Sequence, residues 1–352
     1  MKIISDIPPQ NVRKIQELIS KKSYKDIDEF VRIAVENQIS LELGEKSSLN
    51  SNLSFSSGAT DISSIIGKLK IDESKSIIVE MPEPTFNDIK MPGVTEEKDM
   101  WIWGQINKIL PLKFNIRYLF NLLKDGKESI ELEEFYRKAS ELGRGFGNAM
   151  LHVDEQQDRR RDERFSIGFP IGEEKSKSFS RFCSQFIGFK REDGVLVGAL
   201  FVLKFANLKV DNKRLYLGIT KSGLQFAKIR NPIFDENIFE KNLSEEEISF
   251  YLNHIIQKVP GEARTFYLIL DLISKQVREG YDLTNKIRDT VSSSWTDDFI
   301  NTQRIGAISR LYELGLITKI KSGKFVEFDI SEKGKEYYEK LIQHKIKYAN
   351  NT

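Results

Sequence analysis

The feature of this sequence that most limits its possible folds is a short pattern that occurs twice. Residues 219–226, Ile-Thr-Lys-Ser-Gly-Leu-Gln-Phe, and residues 330–337, Ile-Ser-Glu-Lys-Gly-Lys-Glu-Tyr, place an isoleucine, a hydroxyl residue, a glycine and an aromatic residue at the same spacing. Because hydroxyl residues are favoured at the N-cap of a helix, Thr220 and Ser331 are each predicted to close a strand and begin a helix. A basic hairpin sequence precedes each copy, so the chain is expected to contain one strand–turn–strand–helix motif twice.

A larger unit surrounds the second copy of the pattern. Its apolar spacing predicts three helices, at 266–277, 283–291 and 302–314. A turn is expected at 292–298, between the second and third helices, and two hairpin strands at 317–321 and 325–330. Gly280 and Gly315 are expected to end the first and third helices. This order resembles the winged helix-turn-helix of MarR/PadR-type regulators, in which the third helix enters the major groove and the hairpin forms the wing. The resemblance implies double-stranded DNA as the partner.

The resemblance places the DNA contacts of this unit on its third helix and wing. Ile305, Ile308 and Tyr312 share one helical face and are predicted to pack inward, which would turn Gln303 and Arg310 outward. Glutamine can pair with adenine, and arginine with guanine or phosphate. Residues 301–324 hold five basic side chains and one acidic one. The candidate contacts are Gln303, Arg304, Arg310, Lys319, Lys321 and Lys324. A winged helix that contacts only proteins is the alternative.

A less regular unit of the same kind is predicted around the first copy. Its helices are expected at 114–123, 132–142 and 175–186, and its wing strands at 200–208 and 214–219. Residues 200–230 carry seven basic side chains and one acidic one. The candidate DNA contacts are Lys177, Arg181, Lys213 and Arg214. An insertion over 152–174 contains Asp158-Arg-Arg-Arg-Asp-Glu-Arg164, which is either a solvated loop or helix face, or a loop that contacts phosphate.

Residues 1–42 read as a strand, a helix, a turn and a helix. Residues 24–35, Tyr-Lys-Asp-Ile-Asp-Glu-Phe-Val-Arg-Ile-Ala-Val, resemble the second helix of ribbon-helix-helix proteins of the CopG/Arc type, which implies a homodimer through residues 1–42. Asp6 on the strand departs from the family pattern, because an aspartate facing phosphates is unfavourable, so this ribbon is expected to read DNA weakly. The alternative is an ordinary helical hairpin. The Ser- and Asn-rich stretch 47–64 predicts a flexible linker over 43–98.

Composition excludes several other classes of protein. The net charge of +2, from 54 basic and 52 acidic residues, requires any DNA site to be a local patch. Cys183 is the only cysteine and the three histidines are far apart, so neither an intrachain disulfide nor a zinc site is expected. The glycines of 143–147 lack the Lys-Ser/Thr of a phosphate loop. We expect no catalytic motif, no cofactor, no metal, no small-molecule effector, no membrane span and a cytoplasmic, nucleoid-associated location.

These observations predict a mainly α protein with small β wings, of the α+β class. The expected order is a ribbon-helix-helix unit (1–42), a flexible linker (43–98), a divergent winged helix (99–240), a linking helix (241–261) and a winged helix-turn-helix domain (262–352). The leading functional interpretation is a homodimeric, sequence-specific DNA-binding transcriptional regulator. Tandem winged helices also resemble plasmid replication initiators, so a replication or genome-maintenance factor is an alternative. A nuclease acting on the DNA it binds and a non-catalytic adaptor for proteins remain as further alternatives.

Overall fold

A computed structural model describes residues 62–71, 78–89, 99–123, 126–171, 177–322 and 325–349, together with Val12, Gln16 and Ile27. The chain divides into two compact units, 1–59 and 60–352, and all the described ranges belong to the second. The ribbon-helix-helix prediction lies outside the described residues apart from the three single positions. Lys324 also lies outside them.

The described part of the second unit is mainly helical with small antiparallel sheets, so the predicted α+β class is confirmed. Its first half contains α1 (Ile62–Leu69), α2 (Leu110–Leu123), β1 (Ile130–Glu131), α3 (Leu132–Gln156), α4 (Lys177–Arg181), β2 (Phe189–Lys190), β3 (Leu196–Val197), α5 (Ala199–Val202), β4 (Ala206–Asp211), β5 (Arg214–Ile219) and α6 (Lys221–Lys228). Its second half contains α7 (Pro232–Glu236), α8 (Glu245–Lys258), α9 (Pro260–Ser274), α10 (Gly280–Arg288), α11 (Asp297–Glu313), β6 (Ile317–Ser322), β7 (Phe325–Ile330) and α12 (Glu332–Ala349). A π-helix, Phe182–Ile187, continues α4.

The two hairpins, β4–β5 and β6–β7, are copies of one structure. β6 begins as many residues after β4 as β7 begins after β5. We call this number of residues the repeat interval. The pairing has the same register, because Ala206 faces Ile219 in the first hairpin and Ile317 faces Ile330 in the second. We call the elements α2 to α6 the first repeat and the elements α9 to α12 the second repeat.

A third strand position is also repeated. In the first repeat β1 pairs with β5, giving the sheet order β1–β5–β4, and Glu131 faces Tyr216. In the second repeat a single antiparallel bridge joins Glu279 to Glu327, which lies one repeat interval after Tyr216. Each bridging glutamate, Glu131 or Glu279, immediately precedes a helix, α3 or α10. The edge strand of the first repeat is therefore reduced to one bridge in the second.

The duplicated sequence pattern forms the start of the closing helix in each repeat. The Thr220 hydroxyl accepts a hydrogen bond from the Gly223 N–H at 3.1 Å, and the Ser331 hydroxyl accepts one from the Gly334 N–H at 3.0 Å. Both predicted N-caps are thereby confirmed. Each hydroxyl also donates to a carbonyl oxygen, that of Lys204 or Gly315, and these two residues are again one repeat interval apart. Lys204 and Gly315 both have left-handed backbones, with φ of 59° and 70°.

The glycine and the aromatic residue of the pattern have the same roles in both repeats. A Cβ atom at Gly223 would lie less than 3.0 Å from the carbonyl oxygen of Phe205, and one at Gly334 would lie equally close to that of Leu316. Only glycine therefore lets the closing helix approach the preceding strand. Phe226 and Tyr337 are both buried in the core, as predicted. The pattern thus records a close backbone contact and a packing site.

The third helix is where the repeats differ. In the second repeat α11 begins at Asp297 with Thr296 as its cap, earlier than the predicted start at 302, and ends at Glu313, close to the predicted end. In the first repeat the corresponding stretch holds the end of the π-helix, the β2–β3 hairpin and the short α5. The prediction of a strand from residue 200 is therefore wrong, since β4 begins at Ala206. Gly280 begins α10, rather than ending the preceding helix.

Part of the stretch predicted as a flexible linker belongs to the core. Ile65 and Leu69 of α1 are fully buried, and the Met81 N–H donates to the Ile219 carbonyl oxygen at 2.8 Å. The linker prediction over 43–98 is therefore wrong for residues 62–71 and 78–89. Within the described ranges, no helix has the length and apolar character needed to cross a membrane.

The predicted linking helix is present as α8 and contacts both repeats. Ser244 and Glu247 form a capping box at its start. Buried Glu247 pairs with Lys113 of the first repeat at 2.9 Å. The Tyr337 hydroxyl of the second repeat donates to the Leu252 carbonyl oxygen at 3.2 Å. Because α8 bonds to both, the two repeats share one core.

Candidate nucleic-acid interface

The structure contradicts the outward orientation predicted for Gln303 and Arg310 on α11. Both side chains have 0 % exposure. Arg310 forms a bidentate pair with Glu262 of α9, with Nε–Oε1 at 2.6 Å and an Nη–Oε2 distance of 2.9 Å, and also donates to the Ile106 carbonyl oxygen. These two residues therefore cannot contact DNA in this structure, and their role is to hold α11 in place.

The element that covers them is the segment 99–110, which we call the strap. The Gly104 N–H of the strap donates to Oε1 of Gln303. A Cβ atom at Gly104 would lie less than 3.0 Å from the Thr302 carbonyl oxygen, and one at Gly306 would lie equally close to the Gly104 carbonyl. Gly306 of α11 thus admits the strap.

Contacts at both ends fix the strap to the second repeat. At its start, Asp99 Oδ1 accepts from the Ser292 N–H at 3.0 Å, and the Trp101 ring meets Trp295 edge-on at 5.8 Å. At its end, the Glu313 carboxylate accepts from the Ile109 N–H at 2.6 Å, just before α2 begins. The strap therefore covers one flank of α11 along most of its length.

The opposite flank of α11 is open to solvent. Asp298, Asn301 and Ile305 are exposed at helical spacing, and Ile305 is 50 % exposed, which contradicts its predicted inward position. Ile308 is buried, as predicted; the apolar residues buried along the rest of the helix are Ile300, Ala307, Leu311 and Leu314. Their spacing of seven, four and three was visible in the sequence and could have identified the buried face.

Arg304 lies at the edge of this open face. Its Nε donates to the Thr284 hydroxyl of α10 at 2.8 Å, and an Nη atom donates to Asn301 Oδ1 at 2.6 Å. Burial lowers the pKa of Arg304. Arg304 therefore ties α10 to α11 and orients the Asn301 amide, leaving its Nδ2 directed away from Arg304.

The insertion of the first repeat packs beside the C-terminal half of α11. Lys319 of β6 pairs with Asp162, and the Tyr312 hydroxyl donates to Glu163 at 3.0 Å. The Lys319 ammonium also lies 3.9 Å from the centre of the Tyr312 ring. Lys319 is thus engaged in holding the insertion. The backbone of Lys321 lies in β6, and its side chain is outside the described part of the structure.

The arginines of this insertion divide into two kinds. Arg159 pairs with buried Asp154 at 2.7 Å and covers the Phe165 ring at 3.6 Å, so it is structural. Arg160 pairs with Glu163 yet keeps an exposed side chain, and Arg161 is exposed. Arg160 pairs with the same Glu163 that accepts from Tyr312, and Arg161 precedes Asp162, which pairs with Lys319 of β6.

The candidates of the first repeat occupy different places. Lys213 is exposed at the two-residue turn of the β4–β5 hairpin, and Arg214 is exposed and pairs with Glu131 at 3.3 Å. Lys177 begins α4, and its side chain is outside the described part. Arg181 ends α4 and lines a cavity. Among the described residues, no hydrogen bond or ion pair brings these four into the face formed by α11.

Sequence reasoning missed two features of the surface. The strap was missed because its partners lie far along the chain, as with Gly104 and Gln303. Tyr281, at the start of α10, is 77 % exposed. An isolated tyrosine next to a glycine that begins a helix carries no sequence signal of its own.

The described residues contain no group of histidine, cysteine or carboxylate side chains that could hold a metal ion. Their perturbed groups serve packing: burial lowers the pKa of Lys113 to about 8 and that of His254 to about 4, and it raises the pKa of the Cys183 thiol. Lys113 nevertheless pairs with Glu247, and His254 hydrogen-bonds the Leu203 carbonyl oxygen at 2.8 Å. Comparison with family models, with curated proteins and with solved structures finds no match for this chain.

Proposed function

We propose that the two repeats are tandem winged helix-turn-helix domains and that the protein binds specific sequences of double-stranded DNA as a transcriptional regulator. The observation that carries the proposal is the repeated order of helix, edge strand or bridge, helix, hairpin and capped helix, with the paired strand positions separated by one constant interval; the third helix is continuous in the second repeat alone. In winged helices this order presents the third helix and the hairpin on one side, where they meet the major groove and the adjacent backbone.

The open face of α11 is the proposed reading surface. Asn301 can donate from Nδ2 to a base edge, because Arg304 fixes its Oδ1. Ile305 supplies an apolar contact of the kind that recognises a thymine methyl group, and Asp298 can accept from the amino group of cytosine. These three exposed residues replace Gln303 and Arg310, which are buried.

Phosphate contacts are proposed on both sides of this face. The exposed arginines Arg160 and Arg161 lie on the insertion that docks against Tyr312. On the other side, the exposed Tyr281 stands at the N-terminus of α10, where unpaired backbone N–H groups favour an anion. Lys321 and Lys324 of the wing belong to the same proposal through their places in the hairpin.

A selection of bound duplexes from random DNA, followed by fluorescence-anisotropy titrations over a range of salt, tests the proposal. We expect a defined sequence and a fall of log K with log salt of about 0.9 per phosphate contacted. Failure of the protein to bind any duplex at low salt would contradict the proposal.

Two substitutions distinguish the recognition of DNA bases from contacts with the DNA phosphates. Asn301→Ala should cost about 1–3 kcal/mol on the selected sequence and relax the preference at one base pair, whereas Arg161→Ala should weaken binding to all sequences and reduce the salt slope by about 1. Lys138→Ala is the matched control, because Lys138 is a cation on α3 paired with Glu134 of the same helix. Equal effects of all three changes would speak against the proposed face.

Homodimerisation through residues 1–42 is part of the same proposal. Light scattering of the full chain and of a chain lacking these residues measures it. We expect the mass per particle of the full chain to be twice that of its monomer, and that of the shortened chain to equal one monomer. An unchanged number of chains per particle would remove the N-terminal unit from the account.

A replication or genome-maintenance factor is the second candidate. It is favoured by the joining of the repeats into one core through α8, with Lys113–Glu247 on one side and Tyr337–Leu252 on the other. A rigid pair of winged helices suits DNA with two contact sites at a fixed spacing. If the selected duplexes carry direct repeats, and a plasmid bearing them replicates only when this protein is supplied, the second candidate replaces the first.

A further inference from the structure

A polar cavity of about 420 Å³ lies in the first repeat, beside the π-helix that helps to replace the third helix there. Its walls come from the strap, from residues 167–169 and from α4 with its π-helical continuation. Its volume falls within the roughly 300–1,000 Å³ of small-molecule sites. No acidic side chain is among the described residues that line it.

The π-helix shapes one wall of this cavity. The Gly188 N–H donates to the Cys183 carbonyl oxygen at 2.8 Å, closing a wide turn, and Gly188 has a φ of 115°. A Cβ atom there would lie less than 3.0 Å from the Val197 carbonyl oxygen, so the β2–β3 hairpin holds the wide turn in place. The turn presents Gln185 and Phe186 to the cavity. Such π-helical turns are rare in proteins, and those that occur are often found at functional sites.

The polar groups of the cavity are amides, one guanidinium and the Ser178 hydroxyl, which donates to the Ile171 carbonyl oxygen at 2.9 Å. Gln185 Nε2 donates to Gln105 Oε1, which leaves Gln185 Oε1 as an acceptor and Gln105 Nε2 as a donor. Asn107 adds a second kind of amide with both capacities. Arg181 supplies the positive charge and forms no ion pair with any described residue. Ile167, Phe169 and Phe186 form the apolar part of the lining.

We infer that this cavity binds a nucleotide, with its phosphate on Arg181 and the edge of its base on the amides of Gln105, Asn107 and Gln185. Arginine matches phosphate through two parallel N–H donors. Amide side chains carry the paired donor and acceptor that a base edge presents. The cavity is separate from the reading face proposed for α11, so the inference goes beyond the proposed function. The nucleotide comes either free from solution or from an unpaired position in a DNA strand.

Isothermal titration calorimetry of the full chain tests the inference with AMP, GMP, CMP and dTMP, each compared with inorganic phosphate and with the matching nucleoside. We expect at least one mononucleotide to bind saturably, and phosphate and nucleoside alone to bind at least about tenfold more weakly, a factor that corresponds to about 1.4 kcal/mol. Inorganic phosphate that binds as tightly as every mononucleotide would overturn the inference, because the amides would then contribute nothing.

Variants assign the binding to the cavity. Arg181→Ala and Asn107→Ala should each weaken the mononucleotide at least about tenfold. Arg191→Ala is the matched control, because Arg191 is an arginine of the same region that pairs with Asp193 and does not line the cavity. Arg181 is exposed, so its variant should keep the thermal unfolding temperature of the wild type. Unchanged affinity in both cavity variants would overturn the inference.

A second titration distinguishes the source of the nucleotide. A duplex with one unpaired nucleotide is compared with the fully paired duplex, for the wild type and for Arg181→Ala. Tighter binding of the first duplex that disappears in the variant assigns the site to a nucleotide of the DNA strand. If neither this duplex nor any mononucleotide binds in a manner that depends on Arg181, the inference is wrong, whatever the affinity for paired DNA.

Discussion

The two repeats share their hairpin and closing helix and differ in their third helix. In both, a hydroxyl caps the closing helix, a glycine meets a backbone carbonyl and an aromatic residue enters the core. In the second repeat the third helix is the continuous α11. In the first repeat a π-helix, a small hairpin and the short α5 take its place.

This difference separates what holds the fold from what the fold presents. The shared parts are fixed by contacts to backbone atoms, such as Gly223 with the Phe205 carbonyl and Gly334 with that of Leu316, which leave little freedom for change. The backbone contacts of the third helix, as at Gly306, are made to the strap and not to the hairpin, so this helix can change without loss of the hairpin. One repeat presents a continuous helix with an open face, and the other presents a cavity.

The substitution with the largest expected effect on stability lies in α11, the helix that has no continuous counterpart in the first repeat. Arg310→Ala leaves the buried Glu262 carboxylate without its partner and should lower the free energy of unfolding by about 3–5 kcal/mol, measured by urea denaturation. The double variant Arg310→Met/Glu262→Leu is the control. It leaves no orphan charge and should recover most of the loss. A loss of under about 1 kcal/mol in Arg310→Ala would mean that the strap does not depend on this pair.

The closing helices provide the sharpest test of the likeness. Gly223→Ala and Gly334→Ala each force a Cβ atom against a backbone carbonyl oxygen and should each lower the free energy of unfolding by about 3 kcal/mol. Gly67→Ala is the matched control, because Gly67 lies in α1 with nothing within 4 Å of the added atom, and alanine favours helix. If one of the two variants is tolerated, the helices are not equivalent.

The contact between α8 and the first repeat should make the free energy of unfolding depend on pH. His254 of α8 hydrogen-bonds Leu203 and stacks on Phe205, and burial lowers its pKa to about 4 from the ordinary 6.5. Between pH 6.5 and 4 the unfolded chain takes up a proton that the folded chain does not. The stability that neutral His254 contributes is therefore fully present above pH 6.5 and is lost as the pH falls to 4. The free energy of unfolding should fall by roughly 2–3 kcal/mol over this range.

Urea denaturation of the wild type and of His254→Gln across this pH range isolates that contribution. Other groups also titrate there, so the difference between the two proteins carries the result. We expect it to shrink as the pH falls from 6.5 to 4. A difference that does not vary with pH would show that His254 is not a neutral buried group in the folded chain.

The smallest expected effect again compares the repeats. Thr220→Ala and Ser331→Ala each remove a helix cap and should each lower the free energy of unfolding by about 1 kcal/mol. Thr220→Ser retains the hydroxyl and should lose less than Thr220→Ala. Unequal losses in the two alanine variants would show that one closing helix depends less on its cap.

The sequence predicts the local parts of this fold better than the long-range ones. The hairpins, the caps at Thr220 and Ser331 and the linking helix follow from neighbouring residues, and all are present. The burial of Gln303 and Arg310 does not follow, because their partners in the strap lie far earlier in the chain. A polar residue on a helix is expected outside unless its partner is known.

The candidate site was predicted by element and not by residue. The sequence identified the third helix and the hairpin of the second repeat, but its choice of helix face relied on Ile305, Ile308 and Tyr312. Apolar residues surround α11 on several sides, since one side meets α9 and α10 and another meets the strap. A helix buried on two sides has no single apolar stripe, so periodicity alone could not identify the open one.

Directed cleavage of DNA tests the central claim, that the open face of α11 enters the major groove. An iron–EDTA group is attached through Ile305→Cys in a Cys183→Ser background and, for comparison, through Lys138→Cys in the same background. On the selected duplex, the group at position 305 should cut both strands within a few base pairs, in a pattern centred on the specified bases, and the group at position 138 should not. A bound duplex that position 305 leaves uncut would contradict the account.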